Sequence, residues 1–557
     1  MPSPRVLTCT AIFLGVTLVT SNLRLVSAQP QAAVVPPTSS TLAQAMALYQ
    51  SGKFASAAEK YRSVLANDAK SSDAYAGLVE TLLKLKDIEG ARAIIDKAIH
   101  NADSPKVRVA LGEVEYREGS LGSAEREWID VVNSDHPQAR AYLGIARLST
   151  AFSLHKRART MIERAYNTDP ADADARKAWM STLPRSQRLK FLEAYLAQNN
   201  ADDEETQTRL KQYLDYLKAR LQAPKSSCHL VSKVTSIETN MIDLLRDPQH
   251  LRGYGLEVAI GDHNSRLLLD TGAGGILINR RVAEKAGLTR LSDTSIRGIG
   301  DKGADGGYVA MAPSIKVGGL EFQNCPVRVM DRRSVADEDG LIGADVFDDF
   351  LVDLDFAHKK LRLKELPHRP DQPQQELVLK AEDDDDVPES DLSDKPKSDA
   401  TQKPGDRGPF DRYVAPEMKD YSTLLRYGHM LLIPTFVEQE KQARFFLIDS
   451  GGFTTQLSLN TAKAVTKVHN EEEWHVKGLN GEVNKVYNAD KATLTFAHLR
   501  QPTQGVLVLD LKSISDSIGI EVGGILGFTT LRFLDVKVDY RDGLVWMDYQ
   551  GPKWLVH

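Results

Sequence analysis

Two stretches of the sequence decide the fold: Leu267-Leu268-Leu269-Asp270-Thr271-Gly272 and Phe446-Leu447-Ile448-Asp449-Ser450-Gly451. In each stretch an apolar run, which we predict to be a strand, leads directly into Asp-Thr/Ser-Gly. An aspartate at the end of an apolar run is costly to bury unless it has a partner or a function. Two such aspartates in matching contexts indicate a pair of carboxylates, so we predict that Asp270 and Asp449 come together.

A second feature follows each triplet at a similar distance along the chain. Gly340-Leu341-Ile342-Gly343 comes after the first triplet, and Gly524-Ile525-Leu526-Gly527 comes after the second. This paired order resembles the retropepsin-like aspartic peptidases. The resemblance covers roughly 235–365 and 425–557, and it implies an all-β, bilobal domain made within one chain.

The resemblance implies that Asp270 and Asp449 are catalytic. Two carboxylates in contact cannot both ionise cheaply, so they should share a proton. One would act as general base on a water while the other donates a proton to the scissile carbonyl oxygen. The sequence leaves open which one starts protonated, and this chemistry requires neither a metal nor another cofactor.

Four neighbouring residues should support the two active-site loops. The glycines allow a tight turn, and the hydroxyl groups can bond to backbone across the lobe interface: Gly272, Gly451, Thr271 and Ser450. Gly452 departs from the Ser, Thr or Ala usual after the triplet, and we expect a looser loop there. We expect Asp345 to cap a short helix.

Each lobe also has a glycine-rich stretch at the place where the family has a flap over the substrate. These stretches are Gly298-Ile299-Gly300 and Gly478-Leu479-Asn480. The alternative for both is an ordinary exposed hairpin. Neither stretch has an obvious tyrosine, so the way the substrate is held should differ from that in pepsin-like enzymes.

The first third of the chain has a helical repeat. Small residues recur about every 34 residues, the period typical of tetratricopeptide repeats, and a large residue follows each by four positions; the small residues are Ala57, Ala91, Ala124 and Ala158, and the large ones Tyr61, Ile95, Trp128 and Ile162. We therefore predict an all-α solenoid before the β domain. Its concave groove would recruit a protein or peptide.

The N-terminus has the pattern of an export signal. Arg5 precedes a mostly apolar run at 6–20, and Val26-Ser27-Ala28 offers a cleavage site. We expect a periplasmic or extracellular protein, anchored to a membrane only if the signal is not cleaved, with no other membrane span. The chain has no Asn-x-Ser/Thr sequon, which favours a bacterial source.

The predicted organisation has seven parts. They are a signal peptide at 1–28, a flexible segment at 29–40, tetratricopeptide repeats at 41–184, a helical connector at 185–229, the first lobe at 230–365, an acidic, Pro-rich linker at 366–424 and the second lobe at 425–557. The linker is expected to be extended, because charge is concentrated there and apolar residues are few.

Composition limits the partners. The net charge is −6 and no basic stripe is present, so we expect no nucleic-acid partner. The histidines have no metal-ligand spacing. Outside the signal, Cys228 and Cys325 could pair, but two cysteines do not establish a disulfide framework.

Three functions remain open from the sequence. The first is an aspartic endopeptidase to which the repeats bring a protein or peptide. The second is a non-catalytic binding scaffold with a degenerate peptidase fold. The third is a dormant precursor, whose cleft is blocked by the acidic linker or by helices at 185–222 until the chain is cut.

Overall fold

The computed structural model describes residues 37–198, 202–222, 228–296, 298, 305–331, 338–369, 411–470, 476–479, 481–483 and 485–552. The predicted signal peptide at 1–28 lies outside these residues, as does most of the predicted flexible segment. No helix in the described part of the chain has both the length and the apolar character needed to cross a bilayer.

The N-terminal part is a series of antiparallel helix pairs, as predicted. The helices are α1 Pro37–Gln50, α2 Phe54–Asn67, α3 Ser72–Lys84, α4 Ile88–Ala102, α5 Pro105–Arg117, α6 Leu121–Val132, α7 Ala139–Ala151, α8 His155–Thr168, α9 Ala173–Ser181, α10 Arg185–Leu196 and α11 Glu204–Gln222. The repeated alanines Ala57, Ala91 and Ala124 are fully buried at the helix contacts.

Glycine on one helix makes room for a large residue on the next. The indole of Trp128 in α6 lies against Gly112 of α5 and Gly144 of α7. A Cβ atom at Gly112 would be 2.5 Å from Nε1 of Trp128, so alanine cannot replace it without a shift. The Nε1–H of Trp128 donates to the carbonyl of Val109 at 3.3 Å, which satisfies the buried donor.

The first lobe is mainly antiparallel β-sheet. Its elements are β1 His229–Leu230, β2 Ser236–Asn240, β3 Ile242–Asp247, β4 His250–Ile260, β5 His263–Leu269, β6 Ile276–Asn279, α12 Arg280–Lys285, β7 Thr289–Ile296, β8 Asp305–Val317, β9 Leu320–Met330, β10 Gly340–Ile342, a 3₁₀ turn Ala344–Phe347, β11 Phe350–Asp355 and β12 Lys360–Glu365. The Cys228–Cys325 disulfide, left open by the sequence, ties the start of this lobe to β9.

The second lobe repeats the order of the first. Its elements are a 3₁₀ turn Pro416–Met418, β13 Ser422–Thr423, β14 Leu425–Tyr427, β15 Met430–Val437, β16 Arg444–Ile448, β17 Gln456–Ser458, α13 Leu459–Val465, β18 Val468–Asn470, β19 Val476–Gly478, β20 Gly481–Val483, β21 Val486–Phe496, β22 Leu499–Leu509, α14 Lys512–Ile518, β23 Val522–Leu526, α15 Phe528–Leu531, β24 Leu534–Asp539 and β25 Leu544–Tyr549.

A six-stranded sheet joins the two lobes, in the order β13-β25-β24-β11-β12-β2. The central contact is the antiparallel pairing of β11 with β24, which runs from Leu351↔Asp539 to Asp355↔Asp535. One apolar core extends through both lobes and includes residues from the two strands that lead to the aspartates, such as Leu269 and Ile448. The lobes therefore form one folded unit.

The ends of the predicted linker are folded, in contrast to the extended segment expected over 366–424. The backbone N–H groups of Lys156 and Arg157 each donate to the carboxylate of Asp411 at 2.9 Å, so Asp411 binds the start of α8. Met418 and Leu424 are buried. The predicted linker extended too far at its ends, because the charges and prolines that supported the prediction lie mainly in 370–410, outside the described residues.

Candidate active site

The two predicted aspartates stand at equivalent positions in the two lobes. Strand β5 ends just before Asp270, and β16 ends just before Asp449. The backbone N–H of Asp270 donates to the carbonyl of Ile342 at 3.0 Å, and that of Asp449 donates to Leu526 at 3.0 Å. The stretches Gly340–Gly343 and Gly524–Gly527 thus supply the parallel strands β10 and β23. These strands pair with β5 and β16 and fix the point at which each active-site loop begins.

Four hydrogen bonds connect the two loops through Thr271 and Ser450. The Oγ1 of Thr271 donates to the carbonyl of Ile448 at 2.8 Å and accepts from the N–H of Ser450 at 2.9 Å. Reciprocally, the Oγ of Ser450 donates to the carbonyl of Leu269 at 2.8 Å and accepts from the N–H of Thr271 at 3.1 Å. Both hydroxyl groups are buried, so each loop is held rigidly by the other lobe.

The two carboxylates are close to each other, and each lies against the glycine of the opposite loop. A Cβ atom at Gly272 would be 2.8 Å from Cγ of Asp449, and one at Gly451 would overlap the carboxylate of Asp270. Within its own loop, Asp270 accepts from the N–H of Gly272 at 2.9 Å, and Asp449 accepts from that of Gly452 at 2.9 Å. The glycines are therefore needed for space as well as for turning.

This environment keeps a proton on the pair. Burial, followed by the charge and hydrogen bond of Asp449, raises the pKa of Asp270 well above its usual range. Burial also raises the pKa of Asp449, opposed by the N–H groups of its own loop and by its hydrogen bond with Asp270. A pair with one proton has both the base and the acid that hydrolysis of an amide requires.

The raised pKa values predict that folding stability falls as pH rises. Between about pH 3.9, the pKa of an unfolded aspartate, and the raised values, the native pair binds more protons than the unfolded chain. Its contribution is therefore most favourable at low pH and is lost as pH rises through the raised pKa values. We expect Asp270→Asn to raise the free energy of unfolding more at pH 7 than at pH 4, measured by urea denaturation. A difference in the free energy of unfolding between Asp270→Asn and wild type that is the same at both pH values would contradict this prediction.

The structure gives Asp345 a different role from the helix cap expected. The 3₁₀ turn is preceded by Gly343, and the carboxylate of Asp345 instead accepts from the N–H of Gly275 at 2.9 and 3.1 Å. The carbonyl of Gly275 also accepts from the N–H of Gly343 at 2.8 Å. Asp345 therefore holds the far end of the first active-site loop, a contact between residues distant in the sequence.

Gly452 does not produce the loose loop expected in the second lobe. Its N–H donates to Asp449, and its carbonyl accepts from the N–H of Phe528 at 2.7 Å. A Cβ atom at this position would be 2.9 Å from Oδ2 of Asp449. Glycine here avoids crowding of the carboxylate, while the backbone bonds keep the loop in place.

His429 is a neighbour of the site that the sequence did not reveal. It stands in the turn between β14 and β15 of the second lobe, and its ring lies against Gly274 in the loop of the first lobe. Burial and then the nearby Arg328 lower the pKa of His429 to about 4. Its imidazole is therefore neutral in weak acid. No sequence pattern pointed to it, because the contact depends on how the lobes pack.

The structure describes part of each flap stretch. In the first lobe Gly298 is described, whereas Ile299 and Gly300 lie outside the described residues. In the second lobe Gly478 pairs with Gly481 in the β19–β20 hairpin, while Asn480 is not described.

Leu479, at the tip of this second hairpin, packs against an apolar cluster of the first lobe that includes Leu268 and Leu341. The second flap therefore reaches across to the first lobe. In the part of the chain that the structure describes, no three His, Cys, Asp or Glu side chains are grouped as metal ligands.

Comparisons with known proteins agree with both halves of this architecture. A family model described as aspartyl protease matches residues 256–346, and a tetratricopeptide repeat model matches residues 48–112. The UBA domain-containing protein Mud1 of Schizosaccharomyces pombe is 34% identical over 118 residues, which are 20% of this chain and 34% of that protein. The chain thus spans about a third of the length of that curated relative.

Two solved structures resemble the repeat part. One, from work on Pseudomonas aeruginosa pilF, is 15% identical and has a TM-score of 0.23. The matched region covers 34% of this chain and 93% of the pilF chain. The other, a tetratricopeptide repeat protein of Parabacteroides merdae, is 13% identical with a TM-score of 0.24, and covers 34% and 75%. At these identities and TM-scores, neither structure indicates the function of this chain. The two family models identify an aspartyl protease domain in this chain, preceded by tetratricopeptide repeats.

Proposed function

We propose that the protein is an aspartic endopeptidase that hydrolyses peptide bonds with a water activated between Asp270 and Asp449. The observation that supports this most strongly is the geometry of the pair. The carboxylates of Asp270 and Asp449 face each other across the lobes, and the bonds of Thr271 and Ser450 hold their loops in place. An electrostatically unfavourable pair of this kind, rigidly held, is typical of an active site.

The reaction uses the shared proton. The ionised carboxylate accepts a proton from the water as its oxygen attacks the peptide carbonyl, and the protonated carboxyl donates to the carbonyl oxygen. As the C–N bond breaks, the carboxyl that took the proton from water gives it to the amine. A hydroxyl of the diol returns its proton to the other carboxylate, so the pair again holds one proton. No covalent enzyme intermediate is formed, because water is the nucleophile.

We extend the proposal to the partner and the compartment. Tetratricopeptide repeats suggest protein interaction, so we propose that the repeats of this chain take a protein or peptide partner. We also propose that the protein acts in the periplasm or outside the cell. The Cys228–Cys325 disulfide supports this, because disulfides persist in oxidising compartments.

The non-catalytic scaffold is not favoured. A scaffold has no need of a buried like-charge pair, which costs folding free energy at neutral pH. In this chain both aspartates are retained, together with the four hydrogen bonds that position their loops.

The test is cleavage of a random peptide mixture from pH 3 to 8, followed by mass spectrometry, with and without pepstatin. We expect the chain from Gln29 to cleave most strongly in acid, and pepstatin or Asp449→Asn to abolish cleavage. Asp353→Asn is the control, because burial and then the hydrogen bond and charge of a neighbouring carboxylate, Asp535, raise the pKa of Asp353 to about 7. Equal cleavage by wild type and Asp449→Asn would contradict the proposal.

A further inference from the structure

The strand that leads to each catalytic aspartate is apolar on both faces. In the first lobe, Leu267 and Leu269 of β5 point into the core shared by the lobes. Leu268, between them, points to the other face and joins a separate group that we call the cleft-side cluster: Leu244, Leu268, Leu277, Ile296, Met330 and Leu341. A strand buried on both faces needs something to cover the second one.

The cleft-side cluster borders the candidate active site. Ala273, three residues after Asp270, packs against it from the active-site loop. Leu479 packs against it from the flap hairpin of the second lobe. The cluster is itself buried, and it lies between the active-site loop of the first lobe and the flap hairpin of the second.

The second lobe has the corresponding face, but the repeats cover it. Leu447 takes the place of Leu268 there, and its register partner Ile525 takes the place of Leu341. These two residues, with Val476 and Val483 of the flap hairpin, belong to one apolar cluster with residues of the repeat helices. Those helix residues include Val109, Tyr116, Trp128, Tyr142, Ile145 and Leu148.

Polar contacts fix the repeats on this face. The hydroxyl groups of Tyr116 in α5 and Tyr427 in β14 are 2.9 Å apart. The N–H of Glu521 donates to the carbonyl of Arg117 at 2.9 Å. Tyr427 lies two residues before His429, which contacts the first active-site loop, so the repeats bind a strand, β14, that ends beside that loop.

Two further contacts lie nearer the solvent. The side-chain amide of Gln442 donates to Oγ of Ser120 at 3.1 Å. The ammonium group of Lys86 is 3.6 Å from the carboxylate of Asp516 in α14. Displacement of the repeats would have to break these contacts, the shared apolar cluster and the bonds of Asp411 to the start of α8.

We propose that α5 to α7 are an internal inhibitor of the peptidase. They cover the second lobe's half of the substrate cleft, and a polypeptide is cleaved only after they are displaced. The inference rests on the proposed function. It places the inhibitory segment in the repeats themselves, whereas the sequence suggested the acidic linker or the helices at 185–222.

The test compares a loosened variant with a locked one in the full chain. Lys86→Glu with Ser120→Ala adds negative charge opposite Asp516 and removes the hydroxyl that accepts from Gln442. Ser120→Cys with Gln442→Cys places two thiols on opposite sides of this contact. A short bis-methanethiosulfonate, which forms a disulfide with each thiol, should lock the repeats in place until it is reduced. The matched control is Lys60→Glu with Ser56→Ala, which makes the same two substitutions at exposed positions of α2.

We expect the loosened variant to cleave an unfolded protein about tenfold faster than wild type. Loss of the two polar contacts shifts the equilibrium between closed and displaced repeats toward the displaced form by that order. The locked variant should be inactive until reduced, and wild type with and without reductant controls for the native disulfide. Equal rates in all variants, or slower cleavage by the loosened one, would overturn the inference.

Pepstatin binding, measured by calorimetry, separates this inference from the proposed function. If no variant cleaves peptides but the loosened one binds pepstatin more tightly than the locked one, occlusion stands and the endopeptidase proposal fails. If both bind pepstatin equally, internal inhibition is wrong whether or not cleavage occurs.

Discussion

Replacing Asp270 by asparagine is expected to lower kcat/KM for peptide cleavage by about 10²- to 10⁴-fold, the contribution typical of a positioned acid or base. The amide keeps the shape of the side chain, including an oxygen that can accept from the N–H of Gly272. It cannot exchange a proton with Asp449, so water is no longer activated. The measurement is the initial rate of cleavage of a quenched fluorescent peptide.

The fold should tolerate this change. Because burial and Asp449 raise the pKa of Asp270, removing its charge relieves repulsion at neutral pH. Asp270→Asn should therefore unfold at a urea concentration at least as high as wild type at pH 7. Asp353→Asn, in the six-stranded sheet, should leave the rate within about twofold, since it removes no group of the proposed reaction. A slow but unfolded Asp270→Asn variant, or a fast folded one, would contradict this account.

Thr271→Val is expected to cost about 2–6 kcal/mol of folding free energy. The substitution keeps the size of the side chain but removes the hydroxyl that donates to Ile448 and accepts from the N–H of Ser450. It leaves two buried backbone groups without these partners, at about 1–3 kcal/mol each. Since the loops hold both carboxylates, the rate of cleavage should fall as well.

Thr271→Ser is the matched variant, because it retains the hydroxyl and loses only a methyl group. It should recover most of the stability and the rate, whereas Ser450→Ala, which removes the other hydroxyl, should behave like Thr271→Val. The free energies are measured by urea unfolding at one pH. Equal stability of the valine and serine variants would show that the cross-lobe bonds do not hold the loops.

The local features of this chain could be predicted from its sequence. An apolar strand followed by Asp-Thr/Ser-Gly can be recognised from six consecutive residues. Because the pattern occurs twice, both active-site loops could be located. The repeat was visible because close contact between helices restricts Ala57 and its equivalents to small residues. In both cases the signal lies within a short window, and the chain repeats it.

Contacts between distant parts were not predictable in the same way. The bond from Asp345 to Gly275, the position of His429 against Gly274, and the burial of Leu447 beneath the repeats all depend on how separate parts of the chain pack. One clue was present. The run Phe446-Leu447-Ile448 is apolar at every position, which is typical of a strand covered on both faces, but it does not say what covers it.

The central claim is that one chain contains one complete catalytic pair, and active-site titration tests it most directly. The loosened repeat variant, at a known concentration, is titrated with pepstatin while the cleavage rate is followed. We predict that the rate falls linearly to zero at one inhibitor per chain. An end point at one inhibitor per two chains would mean that the site forms between chains, and cleavage insensitive to pepstatin would mean that Asp270 and Asp449 do not carry out the reaction.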